Sequence, residues 1–208
     1  MKTPKHFIKR LYQYRQALFR LQKLGFVRIY SDDLAEAIGV TAVQVRKDFS
    51  LFAISGNKRG GYVVAELINQ LNNKLGKNET QEAILVGAGN IGRALLQYDG
   101  FSREGIRLVA AFDIDPARHD AGAGIPVLPF DDMSAFVRRE GIITGIIAVP
   151  VAAAQQVMDK MVGAGIRGIL NFAPVVLKAP EEVFVDSINL VLELETVNYF
   201  AQAYARDE

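Results

Sequence analysis

The chain has 208 residues, half of them hydrophobic, with no cysteine and a formal net charge of +1. That length suits one large domain or two small ones, and the lack of thiols excludes a disulfide framework, a zinc–thiolate site and an iron–sulfur cluster. The first residues lack the apolar core of a secretion signal and no apolar run reaches the roughly 18 residues that cross a bilayer, so a cytoplasmic protein without a membrane partner is expected.

Phe7, Leu11, Tyr14, Leu18 and Leu21 recur at steps of 4, 3, 4 and 3, one face of a helix over about residues 5–24 that Gly25 ends. Ser31 is placed to cap a second helix, 32–38, with Asp32 and Asp33 in its first turn and Gly39 at its close. Thr41-Ala42-Val43-Gln44 has the form of a capping box and opens a third helix over about 42–52. Helix, short turn and helix make a helix-turn-helix. On the third helix Val45, Phe49 and Phe52 fall on an inward face, while Val43, Arg46, Lys47 and Ser50 point outward. Two cations, a hydroxyl and a small apolar group suit a DNA major groove.

Residues 54–64 read as a glycine-rich hairpin with Lys58 and Arg59 at its tip, the form of a wing that contacts phosphates or enters a minor groove. A further helix is expected over 65–74 and a polar linker over 74–82. The charge distribution agrees with a polyanion partner. Residues 1–82 hold 14 Lys and Arg against 7 Asp and Glu, a net +7, and residues 83–208 hold 10 against 16, a net −6, which sum to the +1 of the whole chain. The expected domains are 1–80, winged helix for DNA; 81–188, nucleotide binding; and 189–208, a C-terminal dimerisation helix.

After the linker, strand and helix signals alternate. Apolar strands are expected at 83–86, 108–113, 125–128, 145–149, 168–172 and 182–185, with helices near 91–99, 131–140 and 151–164. This is an α/β pattern and implies a Rossmann-like, doubly wound parallel sheet. Ile84-Leu85-Val86-Gly87-Ala88-Gly89-Asn90-Ile91-Gly92 is its first strand, turn and helix start. Gly87 permits the tight turn, Gly89 lets a pyrophosphate approach the backbone, and Gly92 lets helix and strand pack closely. Asp113 closes the second strand 21 residues after Gly92, where an acid binds the adenosine ribose and repels a 2′-phosphate. NAD(H) is therefore expected over NADP(H), with Asp115 a rival for the ribose and Arg118 the one feature that favours a phosphate.

Ala148-Val149-Pro150 and Asn171-Phe172-Ala173-Pro174 each follow an apolar strand and border the crevice where a nicotinamide would stack, or are ordinary strand-ending turns. Leu190, Leu194, Val197, Ala201 and Tyr204 form an apolar stripe on a last helix, which either docks on its own domain or pairs with a second subunit. A two-fold dimer would read a palindromic site with two heads.

Three functions compete: a DNA-binding regulator that responds to NAD(H), an NAD-dependent dehydrogenase with an unusual N-terminal domain, and a scaffold for another nucleotide such as coenzyme A. Hydride transfer to a carbonyl needs an acid or base beside the nicotinamide. His6 lies in the first helix, His119 follows the adenine-side loop, and Lys160 and Lys178 form no catalytic pair, so no enzyme and no metal site are expected. Asp113 argues against coenzyme A.

Arg46-Lys47-Asp48-Phe49-Ser50, Gly60-Gly61-Tyr62, the Gly87–Gly92 turn and Gly168-Ile169-Leu170-Asn171-Phe172-Ala173-Pro174 together resemble the Rex family of redox-sensing transcriptional repressors, in order along nearly the whole chain. The resemblance implies a homodimer with winged-helix heads, Rossmann domains and a C-terminal helix swapped between the partner's two domains. It implies repression of fermentation and anaerobic-respiration genes, with release from palindromic operator DNA by NADH and binding supported by NAD⁺. It places Gly87, Ala88, Gly89, Asn90, Ile91 and Gly92 on the pyrophosphate, Asp113 on the ribose, and Ala173 and Pro174 by the nicotinamide. Tyr98 would link cofactor pocket and swapped helix. Two positions depart from the family: residues 52–56 carry less glycine, and Asn189 stands where many members have an acid, so an ion pair from the swapped helix is expected to be absent.

Overall fold

A computed structural model describes residues 4–56, 60–120 and 124–206. The chain divides into two compact units, Met1–Glu79 and Thr80–Glu208.

The first unit runs α1 (Lys5–Lys23), β1 (Arg28–Ile29), α2 (Ser31–Ile38), α3 (Ala42–Leu51), β2 (Tyr62–Val63) and α4 (Val64–Leu75). Leu11, Tyr14 and Leu18 of α1 pack with Leu34, Val45, Phe49, Leu67 and Leu71 into one core. Phe49 makes T-shaped contacts with the rings of both Tyr14 and Tyr62, each with centroids 5.3 Å away. Helix ends follow local chemistry. Gly39 closes α2 in the left-handed region at φ 70°. Thr41 caps α3 by accepting the N–H of Gln44 at 3.1 Å. Gln44 does not complete the expected box, because its side chain instead donates to Asp48 Oδ1 at 2.7 Å. Ser31 is the first helical residue of α2 rather than its cap. The cap is Tyr30, whose N–H donates to Asp33 Oδ2 at 2.6 Å.

The wing differs from its sequence reading. The strand Tyr62–Val63 does not pair within a 54–64 hairpin among the described residues. It pairs antiparallel with Arg28–Ile29, the strand between α1 and α2. Arg28 Nη1 fastens the base by donating to the Gly60 carbonyl at 2.7 Å. A two-residue strand has no periodicity to read, so β1 was invisible in the sequence. Lys58 and Arg59 lie outside the described residues.

The second unit runs β3 (Gln81–Val86), α5 (Asn90–Leu96), α6 (Gly100–Arg103), β4 (Ile106–Asp113), β5 (Val127–Pro129), α7 (Met133–Glu140), β6 (Thr144–Ile147), α8 (Val151–Ala164), β7 (Gly168–Asn171), β8 (Phe184–Ser187) and α9 (Leu190–Tyr204). The six strands stand in the order β5-β4-β3-β6-β7-β8, all parallel. This is the doubly wound dinucleotide-binding order, with the chain reversing direction across the sheet beside β3. Alternation along β3 feeds both faces. Ile84 and Val86 join Met133, Val137, Val157, Met158 and Met161 of α7 and α8. Ala83 and Leu85 join the other face, against Leu95, Leu96 and Phe101 of α5 and α6.

Helix α9 is 15 residues long and buries none of them. Leu190, Val191, Leu192, Leu194, Val197, Tyr199, Phe200 and Tyr204 are all exposed. The apolar surface is wider than the stripe read from the sequence, and Glu193 and Glu195 are the helix's charged residues. A helix apolar nearly all round belongs in a buried setting.

Candidate functional site

A cavity of about 800 Å³ opens at the carboxyl ends of β3, β4 and β6. Its floor is the turn from β3 into α5. Gly87 has φ +99°, and a Cβ there would strike the Ala148 carbonyl of the neighbouring strand end. Only glycine fits both demands. A Cβ on Gly92 would run into the Gly87 carbonyl, so this glycine seats α5 against the turn. Over Gly89 the space is open, with Arg118 Nη1, 3.7 Å from where a Cβ would stand, as its neighbour. Gly89, Asn90 and Ile91 line the cavity. The three glycines thus have three separate jobs, and the open one faces the ligand space.

Asp113, at the end of β4, lies at the same wall. Its side chain is 4% exposed, against 45% for Asp115 and 39% for Arg118. Asp113 Oδ2 accepts the Ala88 N–H at 2.7 Å and Arg118 Nη1 at 3.1 Å, and Oδ1 accepts the Asp115 N–H at 2.9 Å. Burial pushes the Asp113 carboxyl up, but the N–H groups of Asp115 and Ala88 and the Arg118 guanidinium outweigh it and hold it below its ordinary value. Ala88 therefore serves the site through its N–H to Asp113 and does not itself line the cavity. Arg118 also reaches Asp115, Nε to Oδ2, at 3.3 Å. His119 does not line the cavity and donates Nε2–H to the Asp113 carbonyl at 2.9 Å.

The far end is apolar: Val149, Pro150, Val151, Phe172 and Pro174 line it. Phe130 and Val157 also line the cavity, contributed by a short turn and by α8, where sequence spacing gave no signal. Ala173 is buried beside Pro174 and does not line the cavity. Asn171 points into its own loop rather than the cavity, donating to the carbonyls of Ala173 and Val175 at 3.0 and 3.1 Å. Tyr98 stands apart from the cavity, 60% exposed, with its ring edge-on to Phe101.

In the first unit the outward residues of α3 are placed as their spacing predicts. Val43, Arg46, Lys47 and Ser50 are exposed, while Val45 and Phe49 are buried and Phe52 partly so. The sequence reading missed Asp48, which is fully buried on the same helix. It accepts Arg10 Nε and Nη2 at 2.7 and 2.8 Å, the Tyr14 hydroxyl at 2.9 Å and Gln44 Nε2. Burial pushes its carboxyl up, and the bonds from Arg10, Gln44 and Tyr14 bring it below the usual range. Arg10 rises in return, chiefly through its hydrogen bond to Asp48. Burial and the bond to Asp48 push the Tyr14 hydroxyl up. A fork-to-fork Arg–carboxylate pair fixes geometry as well as charge, so Asp48 locks α3 onto α1. Its place among Val45, Phe49 and Phe52 on the helical wheel was the available signal.

A family model described as a CoA binding domain matches residues 78–175, and one for a "DNA-binding protein N-terminus" matches residues 2–50. The redox-sensing transcriptional repressor Rex of Carboxydothermus hydrogenoformans is 42% identical over 95% of this chain and 96% of its own. That of Streptomyces coelicolor is 39% identical over 99% of this chain and 80% of its own. Among solved structures, RSP, a Rex-family repressor, superposes in complex with β-NAD⁺ and operator DNA with a TM-score of 0.91, at 35% identity over 99% of this chain and 95% of that one. RSP in complex with β-NADH gives a TM-score of 0.84, at 34% identity over all of both chains. A helix-turn-helix unit with an outward basic face, joined to a Rossmann unit with a glycine-floored cavity, defines the class of ligand-responsive transcription regulators. Within that class, the chain belongs to the Rex family of redox-sensing repressors.

Proposed function

We propose that this protein is a DNA-binding transcriptional repressor that senses the NADH/NAD⁺ ratio and lets go of its operator when NADH binds. One observation carries the reading: a single chain holds an exposed Arg46–Lys47 face on a rigidly braced helix and a cavity whose glycine floor and Asp113 wall fit a dinucleotide. The open space over Gly89 fits a pyrophosphate, received by backbone N–H groups at the start of α5. Asp113 and Asp115 face the adenosine ribose, and Pro150, Phe172 and Pro174 flank the nicotinamide, with Ala173 behind them.

The nicotinamide supplies the signal through its charge, neutral when reduced and positive when oxidised. An apolar pocket accepts the neutral ring and resists burial of the charged one. Val149, Pro150, Phe172 and Pro174 give that end its apolar lining. A ligand shifts a conformational equilibrium only by its differential affinity for the two states. Burial of the reduced ring turns the two DNA heads of a homodimer out of register with adjacent grooves. The exposed apolar α9 is the dimerisation element, swapped onto the partner, and Tyr98 meets it there. Val43, Arg46, Lys47 and Ser50 would enter the major groove of a palindromic operator, and Lys58 and Arg59 would serve at the wing.

The dehydrogenase alternative is disfavoured because the titratable residues lining the cavity, Asp113, Asp115 and Arg118, gather at the glycine-floored end. The nicotinamide end offers no acid or base among the described residues. Asp113 at a ribose position also disfavours coenzyme A as the ligand, whatever the name of the domain model. A cytoplasmic location follows from the DNA partner, and among the described residues no helix is long and apolar enough to cross a membrane. Fluorescence anisotropy of labelled candidate operator DNA, titrated with protein in the presence and absence of NADH, tests the reading. NADH should weaken binding; unchanged binding would reject it.

A further inference from the structure

Asn171 ends β7 and is fully buried. Its polar atoms are all engaged, and they engage two different segments. Oδ1 accepts the Ala173 N–H at 2.9 Å, and Nδ2 donates to the carbonyls of Ala173 and Val175 at 3.0 and 3.1 Å. These bonds shape the loop that carries Pro174 into the apolar end of the cavity. Nδ2 also donates to Ser187 Oγ at 3.2 Å, and the backbone carbonyl of Asn171 accepts the Ile188 N–H at 2.8 Å. Ser187 is the last residue of β8, paired in register with Asn171. From there the chain passes through Ile188 to Asn189, whose Oδ1 caps α9 by accepting the N–H groups of Val191 and Leu192.

An amide nitrogen carries two N–H groups. Here three acceptors share them. A network with one acceptor too many is sensitive: when one carbonyl withdraws, its share of the donor passes to the others. The rest of the loop is held elsewhere, because Gln155 of α8 accepts the Lys178 N–H at 2.9 Å and donates to the Lys178 carbonyl at 3.2 Å. Movement forced by a ring packing on Pro174 is therefore confined to the part of the loop that Asn171 holds.

We propose that Asn171 is the positioning residue that passes occupancy of the apolar end of the cavity to the root of α9, by redistributing its two N–H groups between the 173–175 carbonyls and Ser187. The inference rests on the reading of the chain as an NADH-responsive repressor. Neither Asn171 nor Ser187 lines the cavity, so their effect on coupling is separable from ligand contact.

The test uses the full chain carrying Ser187→Ala, with Ser187→Thr and Asn171→Asp beside it. NADH affinity is measured by calorimetry, and operator affinity with and without NADH by anisotropy. Ser187 is exposed, so its alanine variant should fold and hold both NADH affinity and NADH-free operator affinity within about twofold. The factor by which NADH weakens operator binding should fall about 2- to 30-fold, the span seen for residues on a coupling network. Ser187→Thr, which keeps the hydroxyl, should restore it. Asn171→Asp, which keeps the acceptor for Ala173 and loses all three donations, should lose at least as much. An unchanged factor in Ser187→Ala would overturn the proposal while leaving the repressor reading intact. So would a loss of NADH affinity that accounts for the whole change, since that marks a brace for the pocket alone. A wild-type protein whose operator binding ignores NADH would overturn both.

Discussion

Arg118 lines the cavity beside Asp113, with Nη1 3.1 Å from Asp113 Oδ2. Of the three groups that donate to the Asp113 carboxylate, Arg118 is the side chain, and a ribose hydroxyl can displace it; the N–H groups of Ala88 and Asp115 are backbone. Arg118 also neutralises a wall that would otherwise present two carboxylates to a 2′-phosphate. Arg118→Gln should therefore sharpen the preference for NADH over NADPH, chiefly by weakening NADPH. Calorimetric titration of both cofactors into wild type and variant is the check, and an unchanged ratio would count against the assignment.

Asp113 and Asp115 divide their labour, and substitution should separate them. Asp115→Ala should relax the cofactor preference with little effect on folding, because the side chain is half exposed and holds no buried group. Asp113→Ala should relax it too, and also destabilise the second unit by about 1–3 kcal/mol, since the buried Ala88 N–H loses its acceptor. Urea unfolding alongside the cofactor titrations resolves the two. Equal stability of both variants would show that Asp113 does not brace the turn.

Asp48 should control the stability of the DNA-binding unit and its response to acid. Asp48→Ala leaves the Arg10 guanidinium largely buried and unpaired, a loss of about 3–5 kcal/mol. The Asp48 carboxyl is held below its ordinary value. Its contribution is complete above the unfolded carboxylate value of about 3.9 and disappears as pH falls through the lowered folded value. Urea unfolding followed by circular dichroism between pH 7 and pH 3 should show the wild type losing this increment only at the acid end. A variant whose stability falls with acid as steeply as the wild type would refute the role.

Arg46→Ala or Lys47→Ala should weaken operator binding and leave NADH binding unchanged. An arginine on a guanine edge contributes about 1–3 kcal/mol of discrimination, and a lysine on phosphate mainly affinity and salt dependence. Anisotropy on operator and on scrambled duplex, at two salt concentrations, distinguishes the two residues. Wild-type operator affinity in both variants would remove α3 from the groove.

Removing the chain from Leu190 onward should leave a Rossmann half that still folds but does not dimerise stably. All the large apolar groups of α9 are exposed within their own chain, and each one buried against a partner contributes about 1.5–3 kcal/mol. Light scattering should report a monomer. A truncated chain that stays dimeric and still releases DNA with NADH would place the coupling elsewhere.

What the sequence disclosed follows from how local each signal is. The turn from Gly87 to Gly92 and the acid at Asp113 are spaced by backbone geometry, and long apolar strands announce themselves, so the sheet and its ligand edge were legible. Val43, Arg46 and Lys47 could be assigned outward from helical period alone. Other features depend on partners far along the chain. Asp48 reads as one more charge on a basic helix until Arg10 and Tyr14, 38 and 34 residues away, are seen to enclose it. The strand Arg28–Ile29 is too short to carry a pattern, so its pairing with Tyr62–Val63 is legible only in the structure. The place of Asp113 at the end of its strand was legible, while its bond to Ala88 was not. Asn171 read as the polar residue of an apolar turn, and its link to Ser187 needed the register of β8.

In this protein the redox state of one cofactor decides DNA occupancy. The most direct measurement is anisotropy of a labelled palindromic operator held by the 208-residue chain while NADH, then NAD⁺ in a separate run, is titrated in. NADH should displace the DNA, and NAD⁺ at the same concentrations should leave it bound. Displacement by both alike, or by neither, would contradict the account.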